Sequence, residues 1–166
     1  SPLYQISKIE MENFYNTFLE MLLCDSKIGI IIKSKKPNLI SGMPVIAKKI
    51  EKAQATGRCI ILPNTFGYFP LKAAMASDIS VGVGMSSAIV EIASSGRPAV
   101  MYDMSTHYTH EFYEMGKDKI IFDDIKLLAK KIYEHRIDRK IPTYLGNWQL
   151  LDIELDPFSD CNTNLR

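Results

Sequence analysis

The sequence predicts an α/β domain whose doubly wound, mainly parallel sheet has five strands, with helices on both faces. Five short apolar runs of strand length alternate with segments of helical periodicity. These runs are continuous in the first two strands, which is typical of strands buried on both faces. The length of 166 residues is close to that of one domain.

The first half of the chain is predicted to contain two helices and two strands. Apolar residues at helical spacing indicate the first helix, and a β-branched run indicates the first strand. Pro44 suits the first turn of the second helix, and Pro63 stops the second strand. In order, the elements are a helix over 9–25, a strand over 27–33, a helix over 43–55 and a strand over 59–63.

The second half continues the alternation, and Gly96 and Pro98 end one of its helices as expected. In order, its elements are a helix over 70–77, a strand over 78–84, a helix over 86–95, a strand over 99–103, a helix over 110–115, a strand over 119–122 and a helix over 124–136. Residues 1–140 would form the domain. Residues 141–166, which include Trp148, would form a C-terminal extension, and no internal repeat is evident.

Composition excludes several classes of function. The net charge of +1 gives no electrostatic footprint for nucleic acid, and no apolar run has the length of a membrane span. The three cysteines form no metal-binding spacing, so no zinc site is predicted. Cys24 and Cys59 lie in apolar runs and are predicted to be buried thiols in a reducing compartment, whereas Cys161 lies in the polar tail.

The strongest candidate site follows the third predicted strand. Gly82 and Gly84 would let the backbone approach a ligand closely, and Ser86 and Ser87 begin a helix. The first amides of a helix are unpaired and carry partial positive charge, so they can bind a phosphate. Glu91 lies one turn further along, and its side chain would lean back toward the ligand.

A structural interpretation of the same residues stays open. Serine is a favoured N-cap in any helix, so Ser86 and Ser87 could merely cap this one while Glu91 is a solvated charge. A nicotinamide dinucleotide site is rejected, because Ser87 stands where a third glycine is needed and the motif follows the third strand instead of the first. No cofactor is therefore predicted.

Three further loops follow strand ends and hold the remaining candidates. Lys33 could contact a phosphate as a point charge, although a solvated basic loop is an equal alternative. Phe66 or Tyr68 could stack on a nucleotide base, or cover the edge of the domain. Asp103 could line the sugar side of the pocket. Its spacing to His107 and Glu111 is not a known metal-ligand signature, so no metal is predicted.

Residues 78–91, together with 96–100, resemble the nucleotide-sugar-binding segment of GT-B glycosyltransferases. The similar features are the acidic Asp78 before the strand, the serine pair, Glu91 and the exit Gly96-Arg97-Pro98. Residues 155–160 in the tail are similar to the ending of some capsule and surface-polysaccharide biosynthesis proteins.

This resemblance implies a Rossmann-like, nucleotide-sugar-binding domain of a bacterial glycosyltransferase for surface polysaccharide. Ser86 and Ser87 would hold the donor phosphate, and Glu91 the donor ribose. The partners implied are a nucleotide-activated sugar and a missing N-terminal domain that carries the general base, so the isolated chain would bind without turnover. The location would be cytoplasmic, with the inner face of the membrane as an option.

Three alternatives remain open at the level of sequence. A nucleotide-sugar epimerase of the same fold would need acidic residues and a histidine on facing domains. A CDP-polyol phosphotransferase would prefer cytidine nucleotides. A noncatalytic binding module with the same fold would show no response to any nucleotide in melting curves.

Overall fold

A computed structural model describes residues 7–34, 40–63, 70–84, 86–104, 113 and 116–138. The helices and strands of this part of the chain are α1 (Lys8–Cys24), β1 (Ile30–Ile32), α2 (Pro44–Ala55), β2 (Cys59–Ile61), α3 (Pro70–Met75), β3 (Ser80–Val83), α4 (Ser87–Ser94), β4 (Ala99–Tyr102), β5 (Ile121–Phe122) and α5 (Ile125–Asp138). The predicted α/β alternation is confirmed for these elements. Apart from Tyr113, the predicted helix over 110–115 lies outside the described residues, as does the extension over 141–166.

The strands are parallel, as predicted, but they form two sheets instead of one. In the described residues, β1 pairs with β2, and β3, β4 and β5 form a separate three-stranded sheet in that order. The registers pair Ile31 with Ile60 in the first sheet and Val81 with Val100 in the second. The predicted single five-stranded sheet is not shown, because no ladder joins the two sheets among these residues.

Helices cover both faces of the three-stranded sheet. Alternate residues of a strand point to opposite faces. On β4, Ala99 and Met101 pack with α3 and α4, whereas Val100 and Tyr102 pack with α1 and α5. All four residues are buried, so the predicted placement of helices on both faces is confirmed at β4.

The two-stranded sheet is covered on one face by α1 and α2. Ile32 and Cys59 lie in the same buried cluster as residues of both helices. Ile60 points the other way and is 53% exposed, so the prediction that β2 is buried on both faces is wrong. The physical reason is that α1 and α2 cover only one face of this sheet in the described structure, and Ile60 points to the other face. Strand β2 also pairs with β1 alone among the described residues.

Helix α1 joins the two sheets. Its first half contributes Phe14 to the cluster around β4, and its second half contributes Leu19 and Leu22 to the cluster around β1 and β2. The Phe14 ring stacks on Tyr102, with centroids 5.8 Å apart. Cys24, the last residue of the helix, is exposed, so its predicted burial is wrong, whereas Cys59 is buried as predicted. Cys24 is two residues beyond Leu22 and therefore faces away from the core.

Arg58 holds the C-terminal end of α1. Its Nη1 donates hydrogen bonds to the carbonyl oxygens of Leu22 and Asp25 at 2.8 Å and of Ile28 at 2.7 Å. These contacts satisfy carbonyls that a helix end and the following turn leave without helical partners. They also fix the point at which the chain enters β1.

Arg97 does the same for α3. Its Nη2 donates to the carbonyl oxygens of Ala74 and Met75 at 3.1 Å and of Ser77 at 2.9 Å. Gly96 precedes it with a φ of +80°, a left-handed conformation that favours glycine. The Gly-Arg pair thus ends α4 and caps α3 at the same time.

The two arginines occupy equivalent positions in two α-β-α-β units. In each unit the second helix ends at a glycine with positive φ, Gly57 or Gly96, and the next residue is the arginine. In each unit that arginine binds the end of the helix before the first strand. The structure therefore contains an internal repeat that sequence inspection does not detect.

None of the helices in the described part of the chain is both long and apolar enough to cross a membrane.

Replacing Arg97 with methionine tests its capping role. We expect the free energy of unfolding to fall by about 1.5–3 kcal/mol, because hydrogen bonds from a charged donor are lost at a helix end. Urea denaturation measures the change. Lys72→Met removes another cation from the last turn of α3 and should cost less than about 0.5 kcal/mol. Equal losses in the two variants would contradict the role of Arg97.

An ion pair between α1 and α2 provides a second test. Lys49 Nζ donates to Glu20 Oε1 at 2.7 Å and also to Asn16. This hydrogen bond and the charge of Lys49, with a smaller contribution from Asn16, lower the pKa of Glu20. A carboxyl with a lowered pKa in the folded state stabilises the fold above its ordinary pKa, and this stabilisation is lost as pH falls through the lowered value.

In a Lys49→Met variant, we expect the pKa of Glu20 to rise toward the ordinary glutamate value, as measured by NMR titration. The stability deficit of the variant should be largest at neutral pH and should shrink under acidic conditions, because the protonated Glu20 no longer attracts Lys49. Lys48→Met, at an exposed neighbouring position, is the control. A pKa of Glu20 that responds equally to both substitutions would overturn the assignment.

Candidate functional site

The predicted site lies where β3 meets α4. The strand ends at Val83 and the helix begins at Ser87, so the helix N-terminus lies directly beyond the carboxyl end of the strand. Gly84 has a φ of +70°, and its amide donates to the carbonyl oxygen of Tyr102 at 2.8 Å. A residue with a side chain would be strained at this position. The turn between strand and helix therefore depends on Gly84.

Ser86 is the N-cap residue of α4, in extended conformation with φ −109° and ψ 125°. Its carbonyl oxygen accepts the first helical hydrogen bonds, from the amides of Ile89 at 3.0 Å and Val90 at 3.3 Å. Its side chain makes no capping hydrogen bond to the helix. In this conformation the Ser86 side chain therefore does not cap the helix.

Ser87 and Glu91 lie on the same exposed side of α4. They are four residues apart, so they are neighbours on the helix surface, and both are exposed. The opposite side of the helix carries Ile89 and Ile92, which are buried against the sheet. In the structure Ser86 and Ser87 lie at the N-terminal end of α4, and Glu91 lies one turn further along the helix.

Lys33 follows β1 and is partly buried. Its Nζ lies 3.5 Å from the carbonyl oxygen of Ser34. Lys33 and Ser86 thus both follow strand ends, but the strands belong to different hydrogen-bonded sheets. The two aromatic candidates, Phe66 and Tyr68, lie outside the described residues and stay predictions.

Asp103 follows β4, where the sequence predicts the sugar side of a pocket, but it is only 3% exposed. Its carboxylate accepts a hydrogen bond from the hydroxyl of the buried Tyr113. Its amide donates to the carbonyl oxygen of Phe122 at 2.8 Å. In this conformation Asp103 therefore ties the end of β4 to neighbouring segments.

Three carboxylates affect the pKa of the buried Tyr102 through their charge. Burial raises the pKa of Tyr102, and smaller increases come from the negative charges of Glu10, Asp124 and Asp123. Each carboxylate has a structural partner: Glu10 completes the capping box of α1, and Asp124 accepts from the first amides of α5. Asp123 pairs with Lys117 at 3.3 Å. This negative region therefore has a structural explanation. In the described part of the chain, no group of three acidic, histidine or cysteine side chains could hold a metal.

Gly82 has a different role from the one predicted. Its predicted role is to admit a ligand, but it lies against α4. A Cβ at position 82 would come within 2.1 Å of Ile89 Cγ1. The available signal was a glycine inside a strand, which marks close approach by a ligand or by another chain segment. The sequence alone does not distinguish the two.

A concave region of the described structure lies at the amino end of β1, whereas the predicted site lies at the carboxyl end of β3. It is a shallow cleft lined by Met21, Cys24, Asp25, Ser26, Ile28 and Tyr133. None of these residues belongs to the predicted site.

Removing the Tyr113 hydroxyl tests the structural role of Asp103. We expect Tyr113→Phe to lower the free energy of unfolding by about 1–3 kcal/mol, because a buried carboxylate loses one donor. Chemical denaturation measures the loss. Tyr133→Phe, on a residue that is 42% exposed, is the matched control and should cost less. A Tyr113→Phe variant with the same free energy of unfolding as wild type would contradict the structural role of Asp103.

The geometry of the Ser86–Ser87 turn is the basis for a functional assignment, since comparison with known proteins gives no match: no family model, curated protein or solved structure is similar to this chain.

Proposed function

We propose that the chain is the donor-binding half of a glycosyltransferase for bacterial surface polysaccharide, and that it binds a nucleotide-activated sugar at the Ser86–Ser87 helix N-terminus. One observation carries the proposal: α4 starts at the carboxyl end of a parallel strand, and the Ser86 side chain makes no capping bond there. A phosphate is a suitable partner for such a helix end.

The proposal includes one continuous sheet in the order β2-β1-β3-β4-β5. The sides on which the helices pack support this order. Helix α2, between β1 and β2, packs on the same side as α1, whereas α4, between β3 and β4, packs on the opposite side of its sheet. Connections between parallel strands are right-handed, so the face of the sheet on which the connecting helix packs depends on the direction in which the chain moves along the sheet. Helices on opposite faces therefore indicate that the chain moves outward from the centre in two opposite directions. Strands β1 and β3 would then be central neighbours.

In such a sheet the ligand crevice lies between β1 and β3, where the direction of winding reverses. Lys33 follows β1, and the turn from Gly84 to Ser87 follows β3. Their side chains would thus flank the same crevice from two sides. Lys33 would supply a full positive charge, and the first amides of α4 would supply partial positive charge.

The chemistry of glycosyl transfer fits this arrangement. As the bond to the sugar breaks, negative charge grows on the departing phosphate. Positive groups fixed beforehand at that place stabilise the transition state more than the ground state. The hydroxyls of Ser86 and Ser87 would donate to phosphate oxygens, and Glu91 would accept from ribose hydroxyls. The general base would lie on an N-terminal domain, so this chain would bind the donor without turnover.

Nucleotide binding by alanine and glutamine variants tests the proposal. UDP, GDP, CDP and CMP are each titrated into the wild-type chain, and the melting temperature and Kd are measured. We expect a clear rise in melting temperature with at least one of them. The double variant Ser86→Ala with Ser87→Ala should bind that nucleotide about tenfold more weakly or worse, because two donors to a charged group are lost. Glu91→Gln should weaken binding by a smaller factor.

Ser94→Ala makes the same chemical change at the exposed C-terminal end of α4, where the hydroxyl donates to the carbonyl oxygen of Val90 at 2.8 Å. We expect this variant to bind as tightly as wild type. Unchanged affinity in the Ser86 and Ser87 double variant, or equal loss in the Ser94 variant, would count against the site. Flat melting curves with all four nucleotides would reject the proposed donor-binding function.

A further inference from the structure

Gly82 lies on the side of β3 that faces α4. Its register partner is Met101, which belongs to the buried cluster shared with α3 and α4. The neighbouring residues Val81 and Val83 pack on the other side, with α1 and α5. The glycine is therefore in a strand interior at the point where helix and strand come closest.

A side chain at position 82 has no room. An ideal Cβ there would lie 2.1 Å from Cγ1, 2.9 Å from Cδ1 and 3.3 Å from Cβ of Ile89. Non-bonded carbon atoms do not approach to 2.1 Å, so either the Ile89 side chain or the backbone of α4 or β3 must move. Ile89 is β-branched and helical, so one χ1 rotamer dominates and its Cγ1 cannot easily turn away. The helix itself would have to shift.

Ile89 lies in the first turn of α4, and its amide donates to the carbonyl oxygen of Ser86 at 3.0 Å. A displacement of Ile89 therefore moves the same turn that carries Ser86 and Ser87. The opposite end of α4 is held separately, because Arg97, which follows it, donates hydrogen bonds to carbonyl oxygens at the end of α3. A shift caused at position 82 would thus be concentrated at the N-terminal end.

We infer that Gly82 is a positioning residue: its missing side chain lets Ile89 pack onto β3 and so sets the position of the α4 N-terminus. Where ligand binding is concerned, the inference rests on the proposed function. The positioning itself does not, because it concerns the amides of the first turn whether or not a ligand is bound.

Hydrogen exchange of the Ile89 and Val90 amides in the full chain measures this positioning. Gly82→Ala should accelerate their exchange about tenfold or more, because the added carbon overpacks the contact with Ile89. Gly96→Ala is the matched control. The same change there introduces backbone strain at a φ of +80° but meets no atom within 4 Å. It should destabilise the protein without singling out the first turn.

A second substitution keeps the test valid if Gly82→Ala does not fold. Ile89→Ala removes the Cγ1 and Cδ1 atoms that would clash. Combined with Gly82→Ala, it should restore slow exchange of the first-turn amides, and the double variant should melt at or above the temperature of Ile89→Ala alone, since the new methyl group fills part of the cavity. A double variant that melts below Ile89→Ala would overturn the inference.

UDP, GDP, CDP and CMP serve as binding probes in the same variants. If wild type binds one of them, Gly82→Ala should weaken that binding about tenfold while Gly96→Ala leaves it unchanged. If wild type binds none of the four, the proposed function fails, and the exchange data still decide on Gly82. Equal acceleration of exchange along the whole of α4, or equal effects of the two glycine variants on the first turn, would disprove the positioning role.

Discussion

The packing of α1 across both sheets is the constraint on which the rest of the structure depends. One helix face supplies Phe14 to the core around β4 and Leu19 and Leu22 to the core around β1 and β2. No ladder joins the sheets in the described residues, so this shared apolar face is a main connection between them. It also defines a common side for both sheets. Because α1 packs on both sheets, the face on which α2 packs can be compared with the face on which α4 packs.

The two ends of the strands are built differently. At the amino ends of β1 and β3, Arg58 and Arg97 satisfy the carbonyls where α1 and α3 finish. At the carboxyl end of β3, α4 begins with Ser86, whose side chain makes no capping bond. An arginine is therefore committed to each amino-end junction, whereas among the described residues the side chain at the start of α4 makes no capping bond. This asymmetry is the reason for proposing a phosphate site at the carboxyl end of β3.

Much of the local structure follows from residue spacing. The bounds of α1, α2 and α4 agree with the predicted helices within one or two residues, because apolar periodicity, Pro44 and Gly96 act locally. The predictions that failed concern contacts between distant segments. Exposure of Ile60 and Cys24 depends on which helix covers which face. The hydrogen bond between Asp103 and Tyr113 is likewise a contact that no spacing rule predicts.

For the candidate site, the sequence by itself determined that a glycine turn and two serines begin a helix after a strand, with a glutamate one turn further along that helix. These relations hold because helix and strand geometry fix distances between near neighbours along the chain. Only the tertiary structure decided that Gly82 lies against Ile89 of α4, that Arg97 caps another helix, and that the described strands form two sheets. Those outcomes depend on close approach between segments far apart in sequence, where differences of an ångström decide which contacts can form.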